Sequence, residues 1–269
     1  MFPVLFSFGN IVVYSASIVM VIGFFISLFY FWKMSRVEII EEEKIFDFVL
    51  AILFGALLSG RLIYIFEHAA DFQGFFDRAI HLYKYPGLNF WGLMFGGLFS
   101  GFAYSIKNKL VKSSILDYFA SSFALFCAFL FLGYFVNGLY AGQVNETLGV
   151  SFVGLSGKRI PWQILAIAIF YVFFIFSKKK LQSQTFQKLK KEEQGFVFWL
   201  FMTIFFAVFL LLEFIRRDTL YFEGVVLNRF LYFVIFLVSS VILVSRYKFL
   251  EIVKINLMAR ILKKISEKK

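Results

Sequence analysis

Cysteine, histidine and proline are scarce in this chain of 269 residues, and each shortage excludes a class of structure. The single cysteine, Cys127, lies inside an apolar run, so one chain can form neither a disulfide framework nor a thiolate metal site. The two histidines, His68 and His81, have no second histidine at ligand spacing, and we predict no metal site. No nucleotide-binding loop or zinc motif is present in the sequence, so no cofactor is predicted. With only 3 prolines, long helices can run without interruption.

Apolar residues are abundant instead: 61% of the chain is hydrophobic, 42 residues are phenylalanine and the mean hydropathy is +0.80. A soluble domain of this length could not bury so much apolar surface in one core. The apolar runs are continuous and do not alternate, which predicts an all-α polytopic membrane protein and argues against a β-barrel. Seven runs are long enough to cross a bilayer. They are Ile11–Trp32, Phe46–Phe66, Leu88–Ile106, Tyr118–Tyr140, Ile160–Phe176, Gly195–Ile215 and Val225–Val244.

The 28 lysine and arginine residues predict the orientation of these spans. Most of them lie after the first, third and fifth spans and in the C-terminal tail, which places the C-terminus in the cytoplasm and the N-terminus outside. The formal net charge of +11 suits anionic lipid at the inner surface, and no nucleic-acid partner is needed to explain it. We predict a membrane domain over residues 1–246, with outer loops 67–87, 141–159 and 216–224, and a basic amphipathic tail over 247–269.

Polar residues interrupt the apolar runs at three places, and each has two interpretations. Arg61 lies inside the second span, where a central charge costs about 2.5–3.5 kcal/mol. It either reaches the outer interface or holds a lipid phosphate or a partner carboxylate. Glu213 and Arg216 share one helical face of the sixth span, as an interfacial ion pair or as catalytic groups. The Asn-Gly pair at residues 137–138, followed by Gly142, is an ordinary helix end or a source of free amides for an anionic headgroup.

Small residues also recur along one face of the third span. They are Gly92, Gly96, Gly97 and Gly101. Because small residues let two membrane helices approach closely, we expect this face to pack directly against a neighbouring helix.

The order of motifs along the chain resembles that of the prolipoprotein diacylglyceryl transferases, a family of bacterial membrane enzymes. Ser59-Gly60-Arg61 is similar to the Gly-Gly-Arg that ends the family's second span, and GLNFWG at 87–92 to the Gly-Met-Ser-Phe-His-Gly that begins the third. GYFVNGL at 133–139 resembles the signature Gly-Asn-Phe-Ile-Asn-x-Glu. RIPWQ at 159–163 is similar to Arg-His-Pro-Ser-Gln, and EFIR at 213–216 to Glu-Phe-Phe-Arg.

The resemblance implies a reaction in a bacterial cytoplasmic membrane. The thiol of a prolipoprotein's lipobox cysteine attacks the glycerol carbon of phosphatidylglycerol that bears the phosphate; a diacylglyceryl thioether forms and glycerol phosphate leaves. This chemistry needs a proton acceptor for the thiol, and arginines or amides for the phosphate. By position, the resemblance implies the catalytic candidates Arg61, Glu213 and Arg216. It implies a lipid-binding set of Arg61, Asn137, Gly138, Gly142, Arg159 and Gln163.

The chain departs from the family pattern at the positions where that pattern carries its polar groups. Trp91 stands where the third span has a histidine, and Phe131 and Phe209 stand where the family has arginines. Four further positions carry Tyr134, Leu139, Ile160 and Trp162 in place of Asn, Glu, His and Ser. Phe205 replaces a tyrosine of the sixth span.

These departures leave three hypotheses. In the first, the chain is a working transferase in which Arg61, Arg159 or Arg216 replaces the missing arginines. In the second, it is a catalytically silent relative that binds a phospholipid such as phosphatidylglycerol, a prolipoprotein lipobox peptide or another membrane protein. In the third, it is an unrelated carrier or structural protein, although no span is broken at mid-membrane in two matching halves.

Overall fold

A computed structural model of the chain describes residues 4–8, 11–36, 41–72, 85, 87–108, 110, 113–139, 141–186, 194–215 and 222–247. The helices are α1 (Ser15–Ser35), α2 (Glu42–Glu67), α3 (Ala69–Phe72), α4 (Phe90–Lys107), α5 (Ser113–Asn137), α6 (Trp162–Phe186), α7 (Phe196–Ile215) and α8 (Phe222–Tyr247). The strands are β1 (Val4–Phe8), β2 (Ile11–Tyr14), β3 (Val150–Ser151) and β4 (Lys158–Arg159).

The prediction of an all-α polytopic membrane protein is confirmed. Among the described residues, α1, α2, α5, α7 and α8 are long and apolar enough to cross a membrane. The third and fifth predicted spans correspond to α4 and α6. The orientation of the termini and the division at residue 246 stay predictions, because 248–269 and parts of the predicted outer loops lie outside the described residues.

The first predicted span is wrong at its beginning. The prediction starts the helix at Ile11, but residues 11–14 form β2, which pairs antiparallel with β1 and opposes Phe6 to Val13. Two properties of the sequence explain the hairpin. The run Ile11-Val12-Val13 is β-branched and favours extended backbone, and Gly9-Asn10 between the strands is a turn-forming pair. These apolar residues therefore form a strand, and helix α1 begins after them at Ser15.

The chain divides into two compact units. One contains Met1–Phe31 and Leu116–Lys269, and the other contains Trp32–Ile115. The first unit therefore holds the hairpin, most of α1 and α5, and helices α6 to α8. The second holds α2, α3 and α4.

In the second unit, α2 and α4 pack along the small-residue face predicted from the glycines of the third span. A Cβ atom on Gly92 would lie 2.6 Å from the Ser59 carbonyl oxygen and 2.7 Å from the Gly60 Cα, which are both backbone atoms of α2. On Gly101 it would lie 2.7 Å from Ile52 Cγ1. These spacings are shorter than van der Waals contact, so the approach of the two helices depends on the missing side chains.

We expect Gly92→Ala to lower the free energy of unfolding by about 1–3 kcal/mol, because the new methyl group must displace backbone. Gly97→Ala is the matched control, since its Cβ would lie 3.3 Å from Ala56 Cβ and 3.4 Å from Ile52 Cγ2. The control is expected to be neutral or to stabilise by up to about 1 kcal/mol through helix propensity. Denaturant titration of both variants in detergent measures the difference. If both substitutions change the free energy of unfolding equally, α2 and α4 are free to move apart at Gly92.

In the first unit, the buried carboxylate of one residue caps the beginning of helix α7. Asp117 of α5 accepts hydrogen bonds from the backbone N–H groups of Gly195, at 2.7 Å, and of Phe198, at 2.8 Å. The hydroxyl group of Tyr247, the last residue of α8, donates to the Gln194 carbonyl oxygen at 2.6 Å. The first turn of α7 is therefore tied to the beginning of α5 and the end of α8.

Candidate functional site

Helix α5 ends at Asn137 because the next residue adopts a left-handed conformation. Gly138 has φ +73°, a value that glycine adopts without steric cost. The Leu139 N–H donates to the Tyr134 carbonyl oxygen at 2.9 Å and the Gly138 N–H to that of Phe135 at 3.3 Å. These two bonds form a Schellman motif, which satisfies the last carbonyl groups of the helix. The interpretation of Asn137-Gly138 as a helix end is thus confirmed.

The chain after this helix end pairs with the segment that leads into α6. The Gly142 N–H donates to the Ile160 carbonyl oxygen at 3.0 Å, and the Ile160 N–H donates to the Gln143 carbonyl oxygen at 3.1 Å. A Cβ atom on Gly142 would clash with the Trp162 ring, so a larger residue would push these segments apart. The structure therefore pairs the chain that follows the motif at 133–139 with the motif at 159–163, although a loop separates the two in the sequence.

Four polar side chains belong to these paired segments or end the helix before them: Asn137, Arg159, Trp162 and Gln163. We call these four residues the polar junction. Gln163 is fully buried, and its amide nitrogen donates to the Leu139 carbonyl oxygen. Arg159 Nη1 donates to the Gly142 carbonyl oxygen at 3.4 Å.

Each of these four side chains also has a buried atom without a hydrogen-bond partner in the structure. The atoms are Asn137 Oδ1, Arg159 Nε, Trp162 Nε1 and Gln163 Oε1. An unsatisfied buried polar atom costs about 1–3 kcal/mol, so four at one junction mark a place where a polar ligand or ordered water would stabilise the protein. Two of these atoms belong to donor groups and two are acceptors.

Away from this junction, α5, α6 and α7 meet through phenylalanine rings. We call Phe131, Phe170, Phe205 and Phe209 the aromatic cluster. Phe131 and Phe170 are 0% exposed, with ring centroids 5.7 Å apart. The Phe131 and Phe209 centroids are 5.8 Å apart, and those of Phe205 and Phe209 are 4.6 Å apart. The positions where the motifs of the resembled family have arginines are therefore neighbours in space, and both are filled by packed apolar rings.

At the last turns of α7, Glu213 is 7% exposed, and its backbone carbonyl oxygen accepts a hydrogen bond from Arg229 Nη2 at 3.0 Å. Arg229 belongs to α8, and its guanidinium lies over the Phe214 ring at 5.1 Å. Arg216 lies outside the described residues, so its predicted pairing with Glu213 stays a prediction. Sequence reasoning missed Arg229; the available signal was an arginine inside the seventh apolar run.

The second unit contains the remaining predicted residue, Arg61. It is 7% exposed, and Nη1 donates to the Gly87 carbonyl oxygen at 3.0 Å. Its guanidinium also lies over the rings of Tyr64, at 5.7 Å, and Phe72, at 5.2 Å. Asn89 begins α4 by accepting from the Gly92 N–H at 2.9 Å. Arg61 therefore fastens the segment before α4 to the end of α2. Its position relative to the outer interface stays a prediction.

Trp91 occupies the position of the family's histidine in this unit. Its ring stacks on that of Phe95, with centroids 5.8 Å apart and planes inclined by 21°. An indole nitrogen is only a hydrogen-bond donor, so Trp91 cannot accept a proton as a histidine would.

Comparison with known proteins gives consistent matches. The profile of the family described as prolipoprotein diacylglyceryl transferase matches residues 3–245. A phosphatidylglycerol–prolipoprotein diacylglyceryl transferase of Clostridium tetani is 26% identical over 228 residues, which cover 80% of this chain and 86% of that protein. A protein of the same name from Rickettsia bellii is 27% identical over 155 residues, which cover 56% of this chain and 58% of the relative.

Proposed function

Because this chain belongs to the prolipoprotein diacylglyceryl transferase family, we propose that it is a member that binds anionic phospholipid in a bacterial cytoplasmic membrane without transferring the diacylglyceryl group. The observation that carries the proposal is the aromatic cluster. Phe131 and Phe209 stand where the family's motifs carry arginines, and both pack against other rings in the core of the first unit.

Transfer from phosphatidylglycerol would break a bond between carbon and oxygen, and a phosphate would leave with increased negative charge. Positively charged or hydrogen-bonding groups must meet that charge as it develops. Loss of one such donor typically lowers the rate by about 10²–10³. Phenylalanine has no donor to offer, and two adjacent replacements remove two arginines from the same place. Trp91 also removes the imidazole that could accept a proton.

Binding, in contrast, is supported by the polar junction. Arg159 provides a charge and a buried Nε–H without a partner, and Trp162 provides a second free N–H. Phosphate oxygens accept hydrogen bonds from such donors. The glycerol hydroxyl groups of a phosphatidylglycerol headgroup could donate to Asn137 Oδ1 and Gln163 Oε1, which are the two free acceptors.

One observation favours the active alternative, in which other arginines replace the missing ones. Arg61 is buried and Arg159 retains an unpartnered donor, so each could contribute to holding a phosphate. In that case the chain would catalyse the reaction named for its relatives.

A transfer assay separates the two functions. Purified protein in detergent with phosphatidylglycerol is mixed with a lipobox peptide, and the peptide mass is followed. We expect no diacylglyceryl increment, while the same preparation retains phosphatidylglycerol in native mass spectrometry. The Clostridium tetani relative, tested in parallel, shows whether the peptide and lipid are competent. An increment that Arg61→Gln or Arg159→Gln abolishes would refute the silent function and support the alternative.

A further inference from the structure

We propose that Arg229 of α8 holds the phosphate of a bound phospholipid. This inference rests on the proposed function, since it assigns the phosphate of the same lipid to a residue outside the family motifs described above. Four properties of Arg229 carry it: a charge without a counter-ion among the described residues, an unused donor, apolar surroundings, and its place one helical turn from Tyr232, whose ring contacts that of Phe209.

The charge of Arg229 is not neutralised within the described residues. The carboxylates within 4.0 Å of a basic side chain there are Glu42, beside Arg36, and Glu41, beside Lys44. Arg229 belongs to the apolar stretch Leu227–Tyr247, which is long enough to span a membrane. A cation at such a position needs an anionic partner or access to water, because the surrounding hydrocarbon cannot solvate it.

The guanidinium also has unused hydrogen-bonding capacity. It carries five N–H groups, and Nη2 donates to the Glu213 carbonyl oxygen at 3.0 Å. Nε is buried and has no hydrogen-bond partner among the described residues. A phosphate group fits an arginine fork well, since two of its oxygens accept two parallel N–H bonds.

The surroundings favour a lipid over a soluble phosphate. Phe214, on which the guanidinium rests, is 63% exposed, and Phe230, the next residue of α8, is 62% exposed. Leu227 is exposed as well. An anion that reaches Arg229 therefore does so among exposed apolar side chains, and a ligand with its own acyl chains would cover both the charge and these side chains.

Arg229 is one helical turn before Tyr232, and the Tyr232 ring is 5.8 Å from that of Phe209. The chain thus has Phe209 where the family has its sixth-span arginine. It places Arg229 on the neighbouring helix, one turn from the tyrosine whose ring contacts Phe209. A purely structural role would be to cap the end of α7 through the Glu213 carbonyl oxygen. That role uses only Nη2 and predicts no preference among lipids.

The test compares the retention of phosphatidylglycerol and phosphatidylcholine by the purified full chain in native mass spectrometry. We expect the unmodified protein to prefer phosphatidylglycerol, and Arg229→Gln to lower that preference by about tenfold, the equivalent of one charge-assisted hydrogen bond. Arg246→Gln, which removes the same charge from the other end of α8 beside Tyr247, is expected to retain it. Equal losses in both variants, or no loss in Arg229→Gln, would overturn the inference. Absence of preference in the unmodified protein would instead contradict the proposed function.

A second measurement needs no substitution and holds even if Arg229→Gln does not fold. Phosphatidylglycerol with a photoreactive headgroup is cross-linked to the unmodified protein, and the attachment sites are mapped by peptide mass spectrometry. We expect attachment to residues 211–214 and 227–233, with no competition from millimolar glycerol phosphate. Attachment confined to other segments would refute the site, and complete displacement by glycerol phosphate would refute its assignment to a lipid.

Discussion

Phe131→Arg, which introduces the arginine of the family motif, is expected to lower the free energy of unfolding by more than about 4 kcal/mol and to give no transfer activity. Phe131 is fully buried, and its ring contacts those of Phe170, Phe209 and Tyr134. None of these offers a carboxylate or a water-filled space, so the new guanidinium would be buried without a counter-ion. Thermal and denaturant unfolding in detergent measure the effect.

Phe131→Leu is the control for this prediction, because it removes apolar contacts at the same position without adding charge. We expect it to cost roughly 1–2 kcal/mol, the range for a moderate loss of core volume. If Phe131→Arg is as stable as the control and gains transfer activity, the aromatic cluster is a loosely packed remnant of a functional cavity. The proposal of a silent family member would then be wrong.

The second large effect is expected from Asp117→Ala, which removes both acceptors at the beginning of α7. The backbone N–H groups of Gly195 and Phe198 would each lose a buried partner. A buried donor without a partner costs about 1–3 kcal/mol, so the variant, which leaves two such donors, should lose roughly 2–6 kcal/mol in total. Because both oxygens of the carboxyl group accept hydrogen bonds, no side chain with a single acceptor replaces it fully.

Two controls accompany Asp117→Ala. Asp117→Asn keeps one acceptor oxygen and is expected to lose about half as much. Asp47→Ala makes the same change at an exposed position, where the carboxylate accepts one 3.3 Å hydrogen bond from Tyr104, and should cost less than about 1 kcal/mol. The capping role is contradicted if Asp117→Ala and Asp47→Ala have the same unfolding midpoint.

Sequence alone predicted the features that depend on local composition. The apolar runs gave the helices, because each run is long and carries few charges. The glycine face of α4 was predicted because small residues at helical spacing have few other uses in a membrane. The end of α5 followed from Asn137-Gly138, whose turn preference depends on those two residues. The hairpin was missed because Ile11-Val12-Val13 is apolar enough to continue a membrane helix, and its strand depends on pairing with β1.

The features that could not be predicted join residues far apart in the chain. Asp117 precedes the fourth predicted span and caps a helix that begins at Phe196. Arg229 lies inside an apolar run, but the sequence did not assign it a role, because its contact with Glu213 depends on how α7 and α8 pack. The resemblance showed that arginines were missing at Phe131 and Phe209, yet it did not show that the two rings touch. The proximity of these rings depends on how α5, α6 and α7 pack together, and a single sequence does not reveal that packing.

The contact between these rings also has a consequence for engineering the protein. A polar residue placed at position 131 alone would meet the rings of Phe170 and Phe209, which come from two other helices. A polar cavity in this region therefore requires coordinated substitutions on α5, α6 and α7, because a single polar group there would be buried without a partner.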